Sequence, residues 1–122
     1  MNPPVIMIVE DQKYCQMVLQ KMIGNMGITV ITTSDGKEAV KIFSERNDIS
    51  IILMDLKMPV MDGYTAMQEI RKINPGAVII AETAYSLPCD MDNILEAGFD
   101  DYITKPIVPE TLRNIIYKHL RP

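Results

Sequence analysis

Five short apolar runs alternate with five helix-like patterns along this chain, and that alternation leaves few folds open. The runs are Val5-Ile6-Met7-Ile8-Val9, Ile28 to Ile31, Ile51-Ile52-Leu53-Met54, Ala77-Val78-Ile79-Ile80-Ala81 and Tyr102-Ile103-Thr104. Near-continuous apolar strands separated by amphipathic helices are what a parallel sheet covered on both faces requires. The connections are short and no segment repeats, so right-handed crossovers leave only a handful of topologies. A three-layer (βα)5 sandwich is the expected architecture.

The helical patterns carry their own start and stop signals. Cys15, Leu19, Met22, Ile23 and Met26 recur at helical spacing, with Gly27 as a stop. Ser34-Asp35 caps a second helix with Ala39, Ile42 and Phe43 inward. Asp62-Gly63 opens a third with Ala66, Met67, Ile70 and Ile73 inward, ended by Asn74-Pro75-Gly76. Met91, Ile94 and Leu95 mark the fourth, closed by Gly98, and Leu112, Ile115, Ile116 and Leu120 stripe the fifth. Periodicity does not fix strand order. The flavodoxin-like order 2-1-3-4-5 would set the first and third strands side by side at the switch point, bringing Asp11 beside Asp55.

A chain of 122 residues is expected to form one domain over 1–122, because a domain near this size buries roughly two-thirds of its unfolded surface. Its formal charge of −4 argues against direct nucleic-acid binding, which rests on neutralising phosphates with Lys and Arg. No apolar stretch approaches the roughly 20 residues that span a bilayer, and Met1-Asn2-Pro3-Pro4 lacks the charged start of a secretory signal. A cytoplasmic domain without membrane contact is the expectation. Cys15 and Cys89 have no metal-type spacing and are expected as reduced thiols. The ten Met residues mostly follow the apolar periodicity, as flexible core filler does.

Chemistry gathers where the runs end. Glu10-Asp11, Asp55, Thr83 and Lys105 each follow an apolar run, so a parallel sheet would bring them to one edge, where open α/β sheets bind ligands. Two carboxylates about 4 Å apart repel by roughly 4 kcal/mol at an effective dielectric near 20, so three acids together call for a cation among them. Their donors are hard oxygens, which makes Mg²⁺ the expected ion; Mn²⁺ should substitute, and Zn²⁺ would find no nitrogen or sulfur here. Lys105 adds a mobile positive charge and Thr83 a hydroxyl able to donate to an anionic oxygen. Pro106 makes a cis bond an option after Lys105.

Val9-Glu10-Asp11, the run from Met54-Asp55 to Asp62-Gly63, Thr83-Ala84, Gly98-Phe99-Asp100-Asp101-Tyr102 and Lys105-Pro106, in this order, resemble the receiver domain of two-component response regulators. The likeness covers essentially the whole chain. Ile107 and the Pro109-Glu110-Thr111-Leu112 helix start look more like receivers of hybrid sensor histidine kinases than those of DNA-binding regulators. The resemblance implies that Asp55 accepts the phosphoryl group and that Asp11, Asp55 and the backbone carbonyl of Lys57 ligate Mg²⁺, with Glu10 acting through water. It implies that Thr83 and Lys105 hold phosphate oxygens and that Tyr102 moves with Thr83 as a switch. The donor would be a phosphohistidine on a histidine kinase or a histidine phosphotransfer domain, with a phosphorylation-dependent dimer as an option. The chain's own His119, in the last turn of the last helix, is not that donor.

Three positions depart from the common pattern. Lys57 and Tyr85 place long side chains where the family tunes access of water to the acyl phosphate, so slow self-dephosphorylation is expected. Glu82 places a charge where the family often carries an apolar or amide side chain, and its direction is open. A receiver fragment of a DNA-binding regulator is the runner-up. An aspartyl-phosphate phosphatase would need a second acid two residues after Asp55, where Lys57 stands. A flavin module would need a Ser/Thr/Gly phosphate loop where Glu10-Asp11-Gln12-Lys13 stands.

Overall fold

The computed structural model describes residues 4–58, 60–84 and 88–120, the side chains of Pro88 and Cys89 excepted. Five strands, β1 (Val5–Val9), β2 (Thr29–Thr33), β3 (Ile49–Asp55), β4 (Ile79–Thr83) and β5 (Asp101–Thr104), alternate with five helices. The helices are α1 (Lys13–Gly24), α2 (Gly36–Glu45), α3 (Gly63–Ile73), α4 (Pro88–Ala97) and α5 (Pro109–Leu120). The strands form one parallel sheet in the order β2-β1-β3-β4-β5, the flavodoxin-like arrangement expected.

Alternation along the strands divides the core in two, because successive side chains point to opposite faces. Met7, Val9, Ile52, Met54, Ile79 and Ala81 pack under α2, α3 and α4 through Ala39, Phe43, Met67, Ile70 and Ile94. Ile6, Ile8, Ile51, Leu53, Ile80 and Ile103 pack under α1 and α5 through Leu19, Ile23, Leu112 and Ile116. Burying each such side chain contributes about 1.5–3 kcal/mol, which is why the inner strands read as unbroken apolar runs.

Element boundaries moved where polar contacts overrode periodicity. α1 ends at Gly24, with the N–H of its C-cap Asn25 donating to Lys21 O, and Gly27 follows at φ 76°, a left-handed value that suits glycine. β2 starts one residue later than the run Ile28 to Ile31 and ends two residues later, running into the polar Thr32-Thr33, since an edge strand needs less apolar cover. β4 likewise starts at Ile79 and not Ala77. The Asn74-Pro75-Gly76 turn holds Ala77 by its N–H to Asn74 O, and the Arg71 guanidinium donates to Ala77 O and Gly98 O.

Ile73, expected inward, and Leu95, one of the residues that marked the fourth helix, both face out. Ile73 is 46% exposed because it is the last residue of α3, and Leu95 is 43% exposed because it sits one position around the helix from the buried Ile94. The inner face of α1 is Gln16, Leu19 and Ile23, so Cys15 is only half-buried. The helix caps match expectation: Asp35 accepts from Glu38 N at 2.8 Å and Asp62 from Thr65 N at 2.8 Å.

Candidate functional site

Parallel register levels the strand ends. Val9 pairs with Met54, Asp55 with Glu82, and Thr83 with Thr104, so the residues that follow or end these strands share one edge. Gln16 fixes the β1 end: its buried side-chain amide donates to Glu10 O and, at 3.1 Å, to Thr33 O. This residue escaped notice because polar residues are discounted in an apolar stripe, although its spacing to Leu19 and Ile23 was the available signal. Gly63 fixes the β3 end. A Cβ there would lie 2.4 Å from Asp55 O and 2.8 Å from Leu56 Cα, so the turn after β3 folds against the strand only with glycine at this position.

Glu10, Asp11 and Asp55 each bring one carboxylate oxygen within 4.8 Å of the others. Glu10 is buried, Asp55 is 6% exposed and Asp11 is exposed, which opens the cluster on one side. Lys105 Nζ bridges Glu10 Oε1 at 3.2 Å and Asp55 Oδ2 at 3.3 Å. The remaining oxygens are partly met by backbone: Gln12 N donates to Glu10 Oε2 and Lys57 N to Asp55 Oδ1, both at 3.1 Å. The peptide bond between Lys105 and Pro106 is cis, and Lys105 N donates to Thr83 O at 2.8 Å, tying β5 to the end of β4. Asp11, Asp55, Lys57, Glu82, Thr83 and Lys105 line a cavity of about 160 Å³.

The electrostatics show a site short of positive charge. Burial, then the charge of Asp55, push Glu10 up to about 7 against the lowering effects of the Gln12 N–H and Lys105. Burial lowers the Lys105 ammonium, but Asp55 and Glu10 outweigh it and hold the group above its ordinary value. Glu82 points inward, completely buried, and burial followed by the charge of Glu10 pushes it up to about 8. Burial and the Glu10 charge also raise the Cys15 thiol, a free thiol that is thereby kept protonated. The donor set of three carboxylates, hard and crowded, suits Mg²⁺ and offers no soft ligand.

Thr83 is buried and follows Ala81 in the alternation, on the face where Tyr102 packs against the α2–α4 core. Tyr102 pairs with Ala81 across the strands. His119 lies far along α5, with Nε2 2.9 Å from Asp101 Oδ2. Tyr85 and the side chain of Cys89 lie outside the described residues. Among the described residues, no helix is long and apolar enough to cross a membrane.

The family model for the response regulator receiver domain matches residues 6–117. A hybrid signal transduction histidine kinase, kinase I of Dictyostelium discoideum, is 36% identical over 124 residues; the match covers 95% of this chain and 7% of the kinase. The receiver domain of the sensor histidine kinase PA1611 from Pseudomonas aeruginosa, solved with a magnesium ion coordinated in its active site cleft, is 38% identical with a TM-score of 0.87. That match covers 97% of this chain and 98% of that one. The receiver domain of Ssk1 from Saccharomyces cerevisiae, solved together with the histidine phosphotransfer protein Ypd1, is 29% identical with a TM-score of 0.87. It covers 96% of this chain and 88% of that one.

Proposed function

From the premise that this chain belongs to the response regulator receiver domain family, we propose that residues 1–122 form one receiver unit that takes a phosphoryl group from a partner's phosphohistidine onto Asp55. The observation that carries this reading is Lys105 Nζ held between Glu10 and Asp55, with an Asp11 oxygen in reach of both carboxylates. Glu10, Asp11, Asp55 and the Lys57 carbonyl would hold Mg²⁺ there, with Mn²⁺ as a substitute. Bound in that cluster, the ion offsets charge on the phosphoryl oxygens.

The chain's own residues do the rest. An Asp55 carboxylate oxygen attacks phosphorus, the P–N bond to histidine breaks, and its electron pair returns to the imidazole. Lys105, already against Asp55 Oδ2, follows the negative charge onto the phosphoryl oxygens, so the chemistry is mostly positioning and electrostatics. The Thr83 hydroxyl donates to a phosphoryl oxygen, and Tyr102, on the same sheet face, moves toward the space Thr83 leaves. Such a switch shifts populations by about 1–3 kcal/mol. Lys57 and Tyr85 shield the acyl phosphate from water. The domain works in the cytoplasm, contacts neither nucleic acid nor membrane, and partners with a histidine kinase or a histidine phosphotransfer domain, which Ssk1's complex with Ypd1 supports.

The test is transfer from a radiolabelled phosphohistidine protein in Mg²⁺. Label is expected to move onto this chain and not onto Asp55→Asn; transfer to the variant at the wild-type rate would refute the reading. After donor removal, the label on wild type is expected to outlast that on a Lys57→Ala/Tyr85→Ala double variant by about tenfold, an activation difference of about 1.4 kcal/mol. Equal lifetimes would remove the shielding role.

A further inference from the structure

Glu82 is a charge-bearing side chain with no assigned work. It is completely buried, and neither carboxylate oxygen has a hydrogen-bond partner among the described residues. Its cross-strand neighbours offer it no donor: Glu82 follows the apolar Ile80 on β4 and pairs with Ile103 on β5 and with another carboxylate, Asp55, on β3. Burying a carboxylate without partners is costly, and an ion or water at the site is one of the ways folded proteins satisfy such a group. Glu82 lines the same cavity as Asp11, Asp55 and Lys105, so an occupant of that cavity is the available partner.

The cavity narrows what the partner is. Glu82 is not one of the three acids whose oxygens lie within 4.8 Å of one another, yet it lines the same cavity, which suits a contact through a water better than direct ligation. The cavity of about 160 Å³ has room for several waters, each taking about 30 Å³ of liquid volume. Mg²⁺ dehydrates reluctantly and keeps several waters when carboxylates bind it.

We propose that Glu82 is a positioning residue for the metal, accepting a hydrogen bond from a water carried by Mg²⁺ at the Glu10–Asp11–Asp55 cluster. This rests on the reading of that cluster as a Mg²⁺ site. Outer acceptors of this kind orient the ligands of a metal and change its affinity by about 10–100-fold. Because the contact is made to a metal-bound water, it favours an ion that keeps its waters over Ca²⁺, which takes more direct oxygen ligands.

Calorimetric titration of the intact chain with Mg²⁺ and with Ca²⁺ tests this, using wild type, Glu82→Gln and Glu82→Leu. The Gln variant keeps an acceptor and loses the charge; the Leu variant loses both and has Ile80 and Ile103 beside it on the sheet. The expected result is Mg²⁺ binding weakened about tenfold or more in Glu82→Leu and less in Glu82→Gln, with Ca²⁺ binding changed by a smaller factor. Mg²⁺ affinity within twofold of wild type in both variants overturns the proposal, as does equal weakening for the two ions, which signals charge alone. If wild type itself fails to bind Mg²⁺, the cluster reading falls too; if wild type binds and the variants bind as well, only the role of Glu82 falls.

Discussion

Gly63→Ala is expected to destabilise the fold by about 3 kcal/mol or more, at the upper end of overpacking costs, and to lower the melting temperature on the order of 10 °C. The reason is local and specific. The new Cβ would sit 2.4 Å from Asp55 O and 2.8 Å from Leu56 Cα, and both are backbone atoms that cannot rotate away. Relief must come from the β3 end or the α3 start. The Gly63 N–H donates to Leu56 O at 3.1 Å and Asp62 caps α3, so movement there also displaces Asp55. Thermal unfolding followed by circular dichroism checks the stability; an unchanged melting temperature would mean that the turn packs differently. Phosphoryl acceptance is expected to fall with it, since misplacing a reacting group by an ångström costs about 100-fold.

Without divalent ions, stability is expected to fall as pH rises from about 5 to above 8, with Glu82 the main cause. Its carboxyl is pushed from 4.5 to about 8 in the folded chain, and Glu10 from 4.5 to about 7. Between those limits the folded state keeps protons that the unfolded state releases. The contribution is therefore full below about 4.5, drains as pH climbs, and is gone above the folded value. For Glu82 the full loss is on the order of 5 kcal/mol. Asp101 acts in the opposite sense, held low by His119 against burial, but its effect belongs to acid pH. Lys105, raised by Asp55 and Glu10, titrates above this window. Urea unfolding in EDTA at pH 5 and pH 8.5 should show the slope in wild type, a reduced slope in Glu82→Leu, and a Leu variant more stable at the higher pH. The same slope in both chains would clear Glu82. Adding Mg²⁺ should recover stability at pH 8.5, because an ion that binds only the folded state stabilises it by mass action.

The parallel sheet was legible because its inner strands are buried on both faces, so their apolar runs stand out whatever the order. Strand order was not, since nothing in a run such as Ile51 to Met54 names its neighbour; the 2-1-3-4-5 order stood only as the arrangement that would set Asp11 beside Asp55. Asp55, Thr83 and Lys105 were legible as strand-end residues, and the register brings their strands level. Glu82 shows where the reading stopped. With the fourth strand ended at Ala81, Glu82 had no alternation to assign it a face; extended to Thr83, the strand gives it the face of Ile80. Gln16 was hidden by its own hydrogen bonds, which let an amide occupy an apolar position. Ile73 was read inward from its helical spacing, but a helix end turns it to solvent, and a single helical step beyond the buried Ile94 does the same to Leu95.

Intact mass of the chain after incubation with acetyl phosphate, with Mg²⁺ or with EDTA, tests most directly whether Asp55 is a nucleophile enabled by a divalent ion. One added phosphoryl group is expected in Mg²⁺, none in EDTA and none in Asp55→Asn. A phosphoryl adduct that persists in that variant, or that forms equally well in EDTA, would contradict it.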